Sequence, residues 1–158
     1  MKQKAVLFDI DYTLFDTGAF KQTGLTQFGL YEEVLEVLQS LQKDAVLGIF
    51  SEGDIAFQEQ KLHKTDIHSR FLKEHMHIVT KKTETISEIL KKYKDYFVFL
   101  VDDKLEILHL AKQKMPALFT IWVKRGIFAQ NQKPINGFKA DAQVSNLRDI
   151  ITIIEGQK

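Results

Sequence analysis

Five short runs of apolar, β-branched or aromatic residues recur along the chain, at residues 5–10, 45–50, 76–79, 97–101 and 118–123. They show almost no polar alternation, the pattern of strands buried on both faces. The stretches between them follow a longer period. Leu30, Val34, Leu35, Leu38 and Leu41 share one helical face, and Ile86, Ile89 and Leu90 share another. Leu105, Leu108 and Ala111 continue the alternation. Strand–helix alternation predicts parallel strands joined by helical crossovers, hence an α/β, doubly wound, Rossmann-like sheet with helices on both faces. No internal repeat or Pro/Gly/Ser-rich linker interrupts it, so residues 1–158 read as a single domain.

Composition narrows the chemistry. At 44% hydrophobic and 27% charged, the chain is typical of a water-soluble globular protein. Its 22 basic and 21 acidic residues leave a formal charge of +1, so nucleic acid is not indicated as a partner. The absence of cysteine excludes disulfides, thiolate metal sites and a cysteine nucleophile. The longest wholly apolar run, residues 96–101, is far short of the ~20 residues of a membrane-spanning helix. Asp9 and Asp11 interrupt the apolar stretch that follows Lys2 and Lys4 before it could serve as a signal peptide, so a cytoplasmic protein without membrane partners is expected.

In doubly wound sheets, ligands bind beyond the carboxyl ends of the strands, and here those ends are rich in functional groups. The first strand runs into Asp9-Ile10-Asp11-Tyr12-Thr13-Leu14. Two carboxylates two residues apart point to the same side of an extended chain. Like charges in one cleft need a cation or a bound proton. The second strand ends Ser51-Glu52-Gly53. A hydroxyl and a small residue at a strand-to-helix turn suit an anion, since the next helix offers free N–H groups. Lys81 and Lys82 follow the third strand, and Asp102, Asp103 and Glu106 close the fourth. Together these groups suit a hard, oxygen-loving cation, Mg²⁺, beside a phosphoryl group. With no cysteine present, a carboxylate is the natural covalent nucleophile.

In these positions the sequence resembles the haloacid dehalogenase-like (HAD) hydrolases, in their phosphatase branch. The first motif of that family, Asp-x-Asp-x-Thr-Leu after an apolar strand, matches Asp9, Asp11, Thr13 and Leu14. Ser51 matches the second motif and Lys82, or else Lys81, the third; Asp102 with Asp103 or Glu106 matches the fourth. The resemblance runs from Lys4 to about Gly126. It implies a phosphomonoesterase in which Asp9 attacks phosphorus to form an aspartyl-phosphate and Asp11 acts as general acid and base. Ser51 and Lys82 would hold the phosphoryl oxygens, with Thr13, Glu52 and Gly53 supporting the substrate-binding loops. Mg²⁺ would be bound by Asp9, Asp102 with Asp103, and the backbone carbonyl of Asp11.

Members of that family usually carry a cap over the site. Asp9 and Ser51 are only 42 positions apart, and Lys82 and Asp102 only 20, so neither interval can hold one. Residues 18–30 are read as a flap or short loop in its place. An uncapped cleft leaves the phosphorylated substrate open as small molecule or macromolecule, and favours closure by a second copy in a homo-oligomer. The alternative reading is a regulatory or binding module that keeps the phosphate and Mg²⁺ site with little or no turnover. His75 and His77 sit near a strand start, away from the cleft, and read as packed side chains rather than metal ligands. Lys124 and Arg125 follow the fifth strand and are candidates for a substrate-facing cation.

Overall fold

Six strands form one parallel sheet: β1 (Gln3–Phe8), β2 (Ala45–Glu52), β3 (Met76–Val79), β4 (Tyr96–Asp102), β5 (Phe119–Val123) and β6 (Ala142–Val144). The computed structural model describes residues 1–158. Strand order across the sheet is β3-β2-β1-β4-β5-β6. The chain therefore winds outward from β1 to β3, returns, and winds outward again from β4 to β6. The reversal places the carboxyl ends of β1 and β4 side by side, where a crevice opens in such sheets.

Residue alternation in β1 separates two core layers. Val6, Phe8 and Ile10 enter the larger one with α2 (Val34–Leu41), Leu62 of α3 (Ile55–Lys64) and α7 (Ile150–Glu155). Ala5 and Leu7 face the other, with α4 (Lys82–Lys91), α5 (Leu105–Lys114) and Ala129 of α6 (Ile127–Gln130). In α2 the buried stripe is Val34, Val37, Leu38 and Leu41, at steps of three and four. Leu35 falls off that stripe and is 49% exposed, and Leu30 precedes the helix, so the expected face loses these two and gains Val37.

Between β1 and β2 lie only α1 (Thr17–Gln22) and α2, and between β3 and β4 only α4, so the sheet carries no separate cap domain. The first half of the segment read as a loop is the helix α1, begun by the Asp16 carboxylate accepting from Ala19 N at 3.0 Å. Phe20 of this helix is buried against Phe15 and Phe28, with ring centroids 5.4 and 4.8 Å away.

Candidate functional site

The acidic residues at the ends of β1 and β4 meet. Asp9, Asp102 and Asp103 are all buried, and each offers a carboxylate oxygen within 4.8 Å of the others. Lys82, at the first position of α4, reaches in from the neighbouring crossover. Its ammonium lies 2.9 Å from Asp9 Oδ1 and 2.7 Å from Asp102 Oδ2. Lys81 points away, its side chain 62% exposed beside Glu84. Lys81 has extended backbone just before the helix, and only Lys82 faces the cluster. Glu52 fixes this choice, because its carboxylate accepts from Lys82 N at 2.8 Å and sets the start of the helix.

Four charged groups this close perturb one another. Burial pushes Asp9 up to about 6, reinforced by the charges of Asp102 and Asp11 and opposed by Lys82. Burial works against the Lys82 charge, yet Asp102 and Asp9 hold its ammonium above the ordinary lysine value. Burial pushes Asp103 furthest, to about 10, with the charges of Asp9 and Asp102 adding to it. Neither oxygen of Asp103 has a hydrogen-bond partner. A buried carboxylate left this way is costly, and the cost is removed if a cation joins the three acids. The Asp11 carbonyl, close by in chain, likewise accepts no backbone N–H. The oxygen-only donor set, three carboxylates and a carbonyl, is of the kind Mg²⁺ takes. Glu106 is exposed and stands outside this cluster.

A raised Asp103 gives a stability prediction with a definite sign. A group protonated more readily in the fold than in the unfolded chain stabilises fully below its ordinary value, and that stability is lost as pH rises towards the folded value. Without metal, the melting temperature should therefore fall from about pH 4, where the unfolded carboxyl ionises, to about pH 10, where the folded one does. Asp103→Asn should flatten that slope and melt higher at the alkaline end. Equal slopes for the two proteins, measured in chelator, would count against the assignment.

The first-motif turn is tightly wound. Thr13, Leu14 and Phe15 all donate to the Ile10 carbonyl, and Tyr12 adopts φ +60, a strained value for an aromatic residue. Gly126, at φ +86, lets Tyr12 approach, for a Cβ there would lie 2.4 Å from the tyrosine ring. Asp11 projects on the open side, where Lys61 Nζ sits 2.7 Å from Oδ1, Thr17 Oγ1 donates to Oδ1 at 2.8 Å and Gln58 Nε2 donates to Oδ2 at 2.9 Å. Burial alone would raise Asp11, but Lys61 foremost, with Gln58 and Thr17, holds it below the ordinary carboxylate value. The same Gln58 amide donates to Ser51 Oγ at 2.9 Å, linking the second motif to the first. Gly53 follows at φ +148, with the Gln58 side chain packed over it.

Gln58 and Lys61 are absent from the sequence reading, although they carry a signal. In α3 the polar Gln58 and Lys61 are buried while Ile55 and Phe57 are 51% and 36% exposed. An amphipathic helix would have these reversed. The buried Lys61 ammonium pairs with Asp11 and lies 4.7 Å above the Phe57 ring and 5.2 Å above Phe15.

Arg125 is not the substrate-facing cation considered above. It pairs with buried Glu33, donates to the Thr13 carbonyl at 2.6 Å, and stacks 3.5 Å over Tyr31. Glu33 also accepts from Leu147 N at 3.3 Å. Thr13 is fully buried, its hydroxyl without a partner, and its backbone is what this clamp holds. Trp122 supports the fourth motif, donating its indole N–H to the Asp103 carbonyl at 2.9 Å. His75 and His77 both meet the Tyr93 hydroxyl, at 3.0 and 2.6 Å, and no histidine joins the acidic cluster.

No protein-family model matches the sequence, and neither does any curated protein. Solved structures do match, over nearly the whole chain. One is a Burkholderia xenovorans LB400 protein assigned as a haloacid dehalogenase-like hydrolase, 20% identical with a TM-score of 0.80, covering 99% of this chain and 98% of that one. The fold is that of the HAD hydrolases. A Clostridium difficile protein assigned as a phosphatase is 19% identical, with a TM-score of 0.75 and coverage of 98% and 99%. A Bacillus subtilis protein assigned as a HAD hydrolase, YfnB, bound to magnesium, is 13% identical, with a TM-score of 0.73 and coverage of 98% and 99%. In this HAD fold no helix is long and apolar enough to cross a membrane.

Proposed function

We propose that the protein is a Mg²⁺-dependent phosphomonoesterase working through an aspartyl-phosphate on Asp9. The observation that carries this is the trio of buried carboxylates at the β1–β4 crevice, with both Asp103 oxygens unpartnered and Lys82 against Asp9. Asp9, Asp102 and Asp103, with the Asp11 carbonyl, would hold the metal. Bound there, Mg²⁺ would offset the charge that the reacting phosphoryl group brings.

The chain's own groups account for the two displacements. Asp9 forms a bond to phosphorus as the ester P–O bond breaks, and the departing oxygen takes a proton from Asp11. Water then gives a proton to Asp11 and attacks the same phosphorus, releasing phosphate and the Asp9 carboxylate. Lys82 keeps Asp9 oriented and favours its ionised form, and Ser51 would donate its hydroxyl to a phosphoryl oxygen. Gln58 bonds both Ser51 and Asp11, so it sets the separation between the phosphate-binding hydroxyl and the proton carrier.

The Lys61–Asp11 pair shapes the pH dependence. Lys61 favours the ionised form of Asp11, which suits the second displacement and shortens the pH range in which Asp11 can serve as acid. Lys61→Met, a near-isosteric change among phenylalanine rings, should move the alkaline limb of kcat/KM upward by about one pH unit. An unmoved limb would remove Asp11 from the acid role.

The test of the function itself is turnover of a small aryl phosphate with and without Mg²⁺, together with formation of a beryllofluoride adduct. Metal-dependent release of phosphate is expected. Absence of both turnover and adduct would overturn the enzyme reading in favour of a binding module.

A further inference from the structure

The catalytic acids form part of the wall of a cavity of about 340 Å³, near the lower end of the range for small-molecule sites. Its other walls differ in character from its acidic end. Phe57, Phe128 and Leu25 line the cavity and are 36%, 46% and 59% exposed. Ile55 and Ile127, each close in sequence to one of these phenylalanines, are 51% exposed as well. Most of the chain's exposed large apolar side chains therefore belong to the segments around this one opening. Tyr12 and Phe128 meet edge to face at 5.8 Å, making an aromatic wall.

The charged lining residues divide into paired and unpaired groups. Lys61 is engaged by Asp11, Lys82 by Asp9 and Asp102, and Glu52 by the Lys82 amide. Lys21 and Lys104 are the cavity's remaining cations, and neither forms a salt bridge or a side-chain hydrogen bond. Instead Lys21 Nζ lies 5.7 Å from the Tyr12 ring centre and Lys104 Nζ 4.5 Å from that of Phe128. The only neutral polar side chains in the lining are Tyr12 and Thr17, and the Thr17 hydroxyl is already bound to Asp11 and Tyr12 N. A polyhydroxylated leaving group would bury hydroxyls with few free partners, which disfavours it. A flat ring would stack on the aromatic wall, and an anion on that ring would reach the unpaired lysines.

We propose that the substrate is a phosphate monoester whose leaving group is a flat apolar ring bearing a second negative charge, read by Tyr12 and Phe128 through the ring and by Lys21 and Lys104 through the charge. This rests on the phosphatase reading, and the experiment separates the two.

Four phosphates of primary alcohols are compared: 4-carboxybenzyl, benzyl, 4-aminomethylbenzyl and glucose 6-phosphate. Similar alkoxide leaving groups keep differences in binding from being confused with differences in bond cleavage. Expected is a kcat/KM about tenfold higher for benzyl than for glucose 6-phosphate, and about tenfold higher again for the carboxylate, with the aminomethyl ester below benzyl. In the double variant Lys21→Met/Lys104→Met, the ratio of carboxylated to plain benzyl ester should collapse towards one. Equal use of glucose 6-phosphate, or a carboxylate preference that survives the double variant, would overturn the proposal and leave the phosphatase reading standing. If no ester is hydrolysed, affinities of the matching phosphonates, measured by calorimetry with Mg²⁺, decide the matter separately. The same order is expected there, and its absence would overturn the proposal.

Discussion

Asp9→Asn should abolish turnover, by about 10⁴-fold or more, and at the same time raise the melting temperature of the metal-free protein. The two effects share one cause. An amide cannot supply the attacking oxygen anion, so the covalent route proposed for Asp9 would close at its first bond. The same amide removes one of three buried carboxyl groups crowded around Lys82, and so relieves the burial cost of the Asp9 charge and the repulsion that adds to burial in raising Asp103. Catalytic carboxylates that cost stability are a familiar trade between activity and folding. Phosphate release and thermal melting, both followed in chelator and in excess Mg²⁺, check both arms. Loss of activity accompanied by a clear drop in melting temperature would mean that Asp9 holds the fold together, and the argument from repulsion would be wrong.

Arg125→Ala should be the most damaging change outside the acidic cluster. Its guanidinium pairs with Glu33, which is 2% exposed, and removal strands that carboxylate among Val34, Leu147 and the clamp. Breaking a buried pair from one side costs about 3–5 kcal/mol, against total stabilities of about 5–15 kcal/mol. Chemical denaturation would read the loss directly. The Thr13 carbonyl loses its 2.6 Å donor too, so whatever protein remains folded should turn over more slowly. Arg125→Ala/Glu33→Gln, which removes the stranded charge, should recover part of the stability without restoring the rate. Acid should imitate the lesion. Although burial opposes it, the Arg125 pairing holds Glu33 below its ordinary value, so the clamp's contribution is present above that value and fades as pH falls through the lowered one.

The central strands and the acids at their ends were legible because they obey strong local rules. A central parallel strand is unalternatingly apolar, and the residue that breaks it, Asp9 or Asp102, stands out. Later elements obey weaker ones. β6 is three residues long with only Val144 buried, and α7 is a run of isoleucines and a threonine whose β-branched side chains favour strands. It is helical because Ile150 and Ile154, four apart, dock into the larger core. The choice of Lys82 over Lys81 depends on the residue at which α4 begins, fixed by a carboxylate thirty positions earlier. The partners of Gln58, Lys61 and Arg125 lie 47 to 92 positions away, so a local pattern can mark such residues but not name what they bind.

That clamp also sets an order of events during synthesis. Asp9, Asp11, Ser51, Lys82, Asp102 and Asp103 have all left the ribosome before Arg125 does, and domains tend to fold as the chain emerges. A nascent chain ending after α5 holds every acid of the site but lacks the guanidinium that fixes the Thr13 backbone. The unfinished chain would thus be spared a finished acidic pocket, which is completed only as the last strands dock.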